Sequence, residues 1–250
     1  MFKATVSDFN VILDSLDTIS SLIIEGNFII DKDGIRLIAM DPASVAMVIF
    51  HLLPSNFIEY NTDKQTIITL SIDKLVNVLR RANVNDKVTL QLDEEENKLK
   101  ILMKGKTSRH FSIPIIAGTK EEQKIPDLKF NSKIELDASI LKNAVKDAAM
   151  ISDCLVFEAS KEGLKMYTKS DYGETETDVA KDSEGLISLN VNEKSKAKYS
   201  IEYLDKMIKA TKFTDVLTIQ FSTDYPIRMD FNVLDKLQLS FILAPRVDTE

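Results

Sequence analysis

The sequence predicts an α+β fold built from two copies of one domain, on three observations. The 250-residue chain is 44% hydrophobic and 28% charged, the balance of a soluble globular protein large enough for one big or two ordinary domains. Sliding the sequence along itself by 129 positions aligns two separate blocks without a gap. Apolar residues also alternate between the every-second spacing of strands and the spacing of helices, with strands in the majority.

The repeat rests on particular residues. Ile12, Leu16, Leu22, Phe28, Gly34, Ile35 and Leu37 fall on Leu141, Val145, Ile151, Phe157, Gly163, Leu164 and Met166. At the same shift SIDKLVNVLRRANVNDKVTLQL (71–92) falls on SIEYLDKMIKATKFTDVLTIQF (200–221), identical at six positions. One offset serving both blocks is hard to obtain from composition alone. The chain therefore reads as copy one at 1–116, a connecting loop at 117–130 and copy two at 131–250. Pro114 and Pro126 bracket a polar run at the midpoint and disfavour a helix or central strand there. Ile113, Ile115, Ile116 and Ile125 make that connector more apolar than a plain linker.

In copy one, a strand at 3–7 leads to Phe9, Ile12, Leu13, Leu16 and Ile19 at helical spacing behind Ser7 or Asp8 as N-cap. Strands follow at 27–30, 35–40 and 45–52, with Asp31-Lys32-Asp33-Gly34 as a hairpin turn in which glycine supplies a positive φ. A second helix at 73–82 starts from Ser71, and strands at 87–92, 98–104 and 107–113 complete the copy, with the acidic DEEEN at 93–97 as a solvated tip. Copy two repeats the plan with helices at 138–150 and 202–212. Each copy is expected to be antiparallel sheet covered by two helices on one face.

Composition and motifs exclude most chemistry. Cys154 is the single cysteine, which rules out an internal disulfide and suits a reducing compartment. With no long apolar run and no secretory layout at the N-terminus, a cytoplasmic protein without a membrane partner is expected. His51 and His110 stand apart from any cysteine or acid at useful spacing. Asp31, Asp33 and Gly34 resemble the start of a calcium loop, but the glycine comes too early and the closing glutamate is missing. The repeat at Ser160-Lys161-Glu162-Gly163 keeps the glycine and loses the acids, so backbone geometry is the shared requirement. Nucleophile elbow, phosphate loop and dinucleotide fingerprint are all missing from the sequence, and no metal, cofactor or catalysis is expected. Cys154 opens an apolar strand and reads as a small buried hydrophobe.

Binding remains, and the charge distribution qualifies what is bound. A net charge of −7 argues against a polyanion. The helices nevertheless collect bases opposite their apolar stripes: Arg80 and Arg81 on one, Lys142 and Lys146 on another, Lys206, Lys209 and Lys212 on a third. An ordinary solvated face is the alternative, and the first helix favours it by carrying Asp8, Asp14 and Asp17 without a base.

GIRLIAMDPASV at 34–45, LKNAVKDAAMISD at 141–153 and the ending FILAPRV at 241–247 closely resemble the sliding clamps of DNA replication, the proliferating cell nuclear antigen family, in its archaeal form. The resemblance spans the chain. It implies two duplicated DNA-clamp domains, and a ring of three chains around duplex DNA with helices lining the hole and sheets outside. Arg80, Arg81, Lys142, Lys146, Lys206, Lys209 and Lys212 match or neighbour the family's DNA-facing positions; Asp14 and Asp17 depart from its lysines. A partner-peptide pocket is implied at Met40, Val45, Met47, Ile125, Pro126, Phe130, Pro226, Ile242, Leu243, Ala244 and Pro245, for which core packing is the alternative. DNA polymerase, clamp loader, flap endonuclease and ligase would insert short peptides there. Subunit contacts are implied between strands near 107–114 and 173–181, with Arg81 and Arg109 facing acids near Asp147. Asn83 and Asn143 are uncharged neighbours, leaving homotrimer and heterotrimer both open, beside a damage-response ring subunit and a small-ligand enzyme with its site between the repeats.

Overall fold

The structure is a computed structural model that describes residues 1–6, 8–117 and 123–247. Ser7, one candidate cap, and residues 118–122 of the connector lie outside it. The first elements are β1 (Phe2–Val6), α1 (Asn10–Ser20), β2 (Glu25–Asp31), β3 (Gly34–Met40), β4 (Ala46–Leu52), β5 (Glu59–Thr62), β6 (Thr66–Ser71), α2 (Ile72–Leu79), β7 (Lys87–Asp93), β8 (Lys98–Lys104) and β9 (Ser108–Pro114). Then come β10 (Ser132–Asp137), α3 (Ala138–Ala148), β11 (Cys154–Ser160), β12 (Gly163–Ser170), β13 (Gly173–Ala180), β14 (Leu186–Val191), β15 (Ser195–Ser200), α4 (Ile201–Met207), β16 (Val216–Phe221), β17 (Ile227–Val233) and β18 (Leu237–Leu243). Short 3₁₀ turns occupy Pro54–Asn56 and Ile208–Lys212.

The described chain divides into two compact units: Met1–Pro42 with Val48–Ile125 and Val233–Leu239, and Ala43–Met47 with Pro126–Asn232 and the residues from Ser240 on. Each unit carries antiparallel sheet, as expected. In the first the strand orders are β5-β1-β7-β8-β9 and β4-β3-β2-β6; in the second they are β14-β10-β16-β17-β18 and β13-β12-β11-β15. The second pair of orders is the first under the 129-residue shift, and β9 maps onto β18 end for end. The helices α2 and α4 both follow a serine, Ser71 and Ser200, one shift apart.

Alternation explains the strands: β1 buries Phe2, Ala4 and Val6, and β7 buries Val88, Leu90 and Leu92. In the first unit these meet Ile12, Leu16 and Ile19 of α1 and Leu75 and Leu79 of α2. In the second, Phe157 lies edge-on to Tyr199 at 5.5 Å and to Phe221 at 6.0 Å beneath Leu141, Val145 and Leu204. Each such side chain contributes about 1.5–3 kcal/mol on burial.

Two strands, β5 and β6, were not anticipated. The four residues of β5 bury nothing, being a polar sheet edge without alternation. The helix expected at 202–212 is α-helical only to Met207 and continues as the 3₁₀ turn. The hairpin glycines behave as expected: Gly34 has φ +131° and Gly163 φ +150°, and a Cβ on either would lie 2.3 or 2.2 Å from a backbone carbonyl oxygen, that of Leu52 or Val179. Asp31 forms an ion pair with Arg36, and His51 Nε2 lies 2.8 Å from Asp33 O.

Candidate functional site

Three surfaces hold the residues singled out by the sequence: the helix faces, the strand edges and an apolar strap. On the first unit's helix layer, α1 buries Ile12, Leu16 and Ile19, and turns its polar Ser15 and Thr18 back onto its own carbonyls of Ile12 and Asp14 at 3.0 and 2.8 Å. Phe9 stands at the N-cap without a side-chain cap, while the Asp8 carboxylate accepts the Asn10 N–H at 3.2 Å, an Asx turn leading into the helix. Arg80, just past α2, is ion-paired with Asp17 of α1 and also donates to Asn77 at 3.4 Å. The departure noted in the first helix therefore neutralises a base on the second. Arg81 is exposed beyond the helix end, and its carbonyl accepts from Arg109 Nη1 at 2.7 Å.

In the second unit, α3 buries Leu141, Ala144, Val145 and Ala148 and leaves Lys142, Lys146 and Asp147 exposed. Asp137 caps it, accepting the Ser139 N–H at 2.7 Å; bonds to Ser139 hold the Asp137 carboxyl below its ordinary value. Lys146 reaches Asp205 of α4 at 2.5 Å, and Lys206 bonds Glu202 one turn away at 2.8 Å while lying 5.2 Å above the Tyr203 ring. Lys142 and Lys209 are exposed and have no ion pair among the described residues. The seven bases thus separate: Arg80, Lys146 and Lys206 are matched by acids on the helices, Arg81 sits at a strand edge, Lys212 ends the 3₁₀ turn, and Lys142 and Lys209 are the clearest open charges.

Strand β9 ends one sheet of the first unit and β13 ends one sheet of the second. Beside β9, the nearly buried Asp86 accepts from the Asn83 N–H at 2.9 Å, from Asn83 Nδ2 at 3.2 Å and from the Arg109 guanidinium. The Asn83 backbone bond, then Arg109, hold its carboxyl below the ordinary carboxylate value. A Cβ on Gly105 would strike Asp86 Oδ1 at 2.0 Å, so the bare backbone there makes room for the carboxylate. Lys104, Lys106 and Arg81 make this edge basic, and Val84, 79% exposed, adds an apolar residue. Strand β13 presents Glu174, Glu176 and Asp178, with Lys165 and Lys169 of β12 pairing to them, and Asp147 lies on α3, which packs on β13. Ser170 ties its turn to Ile151 at 2.8 Å, and the turn and helix end expose Tyr172 at 91% and Met150 at 84%. Sequence reasoning missed Val84, Met150 and Tyr172; large apolar side chains at predicted element ends were the available signal.

Of the implied pocket, the second unit brings together Val45, Phe130, Pro226, Ala244 and Pro245, all partly exposed. The Ala244 N–H donates to Val45 O at 3.0 Å, and Phe130 packs edge-on to Tyr225 at 6.1 Å, whose carbonyl is held by Tyr199 Oη at 2.7 Å. Pro126 is exposed in the same unit. Met47, Ile242 and Leu243, also expected in the pocket, are 7%, 7% and 0% exposed. In the first unit Met40 is half-buried and Ile125 is 45% exposed. Among the described residues no three His, Cys, Asp or Glu side chains come together as a metal site.

A duplicated α+β unit with basic helix faces, oppositely charged strand edges and an apolar strap is the build of a multi-surface binding protein. Residues 1–114 match the proliferating cell nuclear antigen N-terminal domain and residues 124–246 its C-terminal domain. The chain belongs to the proliferating cell nuclear antigen family. It is 36% identical to the DNA polymerase sliding clamp of Nanoarchaeum equitans over 98% of this chain and all of that one. It is 34% identical to that of Pyrococcus furiosus over 93% of each. The crystal structure of the antigen from Thermococcus kodakaraensis superposes with a TM-score of 0.92 at 27% identity, covering 98% of this chain and 100% of that one.

Proposed function

We propose that this protein is a DNA sliding clamp, a non-catalytic processivity factor that closes as a ring of three chains around duplex DNA and tethers DNA polymerase. The observation that carries the reading is the repeat itself. Under the 129-residue shift β18 corresponds to β9, and β4 overlaps β13. Joining β9 of one copy to β13 of the next sets a basic edge against an acidic one. Such a contact is head-to-tail, and a head-to-tail contact closes as a ring when the rotation allows.

A closed ring is retained by topology, so weak phosphate contacts through Lys142 and Lys209 suffice and leave sliding unhindered. Clamp loader, flap endonuclease and ligase dock through short peptides, a glutamine with one aliphatic and two aromatic residues, on the strap of Val45, Phe130, Pro226, Ala244 and Pro245. Light scattering tests assembly: about 85 kDa, three times the 28.2 kDa chain, supports the ring. A stable monomer overturns self-closure and leaves the heterotrimeric reading.

A further inference from the structure

A groove of about 900 Å³ lies over β11, β12 and β15 in the second unit. It is lined by Lys169, Lys196, Lys198 and Arg246, with Asp153 and Asp224 as its acids. A basic excess in a concave site is unusual in a chain of net charge −7. The frame is fixed. The Arg246 N–H donates to Lys198 O at 2.7 Å, the Asp224 N–H to Lys196 O at 3.0 Å, and the Lys196 N–H to Thr223 Oγ1 at 3.2 Å. Lys196 Nζ stands 5.7 Å from the centre of the Tyr167 ring, and Arg246 Nη1 lies 3.2 Å from Asp153. Burial, reinforced by Asp153, pushes the Cys154 thiol above its ordinary value, so the cysteine on the groove floor stays neutral near pH 7 and adds no negative charge.

We propose that this groove receives an acidic stretch flanking the docking peptide of a partner protein. The proposal rests on the docking reading above and names a feature of the partner. Its physical basis is continuity: Ala244 and Pro245 belong to the strap, and the next residue, Arg246, is bonded into the groove. A partner chain in extended form covers about 3.3 Å per residue, so residues adjoining the seated peptide reach the groove within a few positions. Carboxylates there meet ammonium and guanidinium donors, the stronger class of hydrogen bond.

The test is calorimetry at about 50 mM salt with the whole protein, low enough for weak screening. The probes are one synthetic docking peptide alone, the same peptide extended by a short Asp/Glu run at either end, and amide-matched Asn/Gln extensions. One acidic extension is expected to tighten binding about tenfold over its amide control, the scale of one or two charge-assisted contacts. The gain should vanish in Lys196→Gln/Arg246→Gln, both exposed positions, while the unextended peptide binds that variant as before. Equal binding of acidic and amide extensions overturns the groove while leaving the docking strap standing. Survival of the gain in the double variant, or its erasure by millimolar inorganic phosphate as for a plain anion site, also overturns it. Failure of every peptide to bind overturns the docking reading and the groove together.

Discussion

Asp86 shows what one carboxylate organises at a sheet edge. It receives Asn83 and Arg109, and Gly105 leaves room for it. Its folded value lies below the ordinary 3.8, so its contribution is complete above that value and is lost as the pH falls through the lower, folded one. Asp86→Asn should therefore lower Tm at pH 7, with the gap to the parent protein narrowing only once the pH falls below 3.8, as read by thermal melts at several pH values. A constant gap would show that shape, not charge, matters. Gly34 and Gly163 are constrained differently, by φ of +131° and +150° with a carbonyl where Cβ would be. Gly34→Ala should cost at least about 1–3 kcal/mol in denaturant titration. Leu243, fully buried, should cost about 2–5 kcal/mol as Leu243→Ala, which marks it as core.

At the scale of elements, the helix faces divide into matched and open charges. Lys142→Glu/Lys209→Glu should reduce clamp-dependent polymerase stimulation with assembly unchanged, whereas Asp17→Asn should strengthen DNA binding by releasing Arg80. Adding one effective cation should steepen the salt dependence of DNA binding by about one unit of log–log slope. An unchanged slope would place Arg80 away from DNA. The helices themselves were legible because their apolar stripes are long and regular. The Arg80–Asp17 pair was not, since it joins residues 63 apart in the chain. Strand β5 escaped notice because a polar edge strand has no alternation. The family resemblance located the strap; the exposure of its side chains is set by the tertiary fold.

For the whole molecule, one shift of 129 residues relates the two units strand by strand and also relates β9 to β18 and β13 to β4. The duplication was readable from sequence, and the family resemblance pointed to the edges at β9 and β13. The apolar residues beside the edges, Val84, Met150 and Tyr172, were not, because exposure is a tertiary property. Tyr172→Glu/Met150→Glu should shift the mass in solution from trimer toward monomer while leaving the fold intact by circular dichroism. Retention on DNA tests the central claim most directly. Loaded onto a nicked circular plasmid and washed at high salt, the protein should stay bound and should be released when a restriction enzyme linearises the circle. Equal loss from circular and linear DNA would contradict a closed clamp.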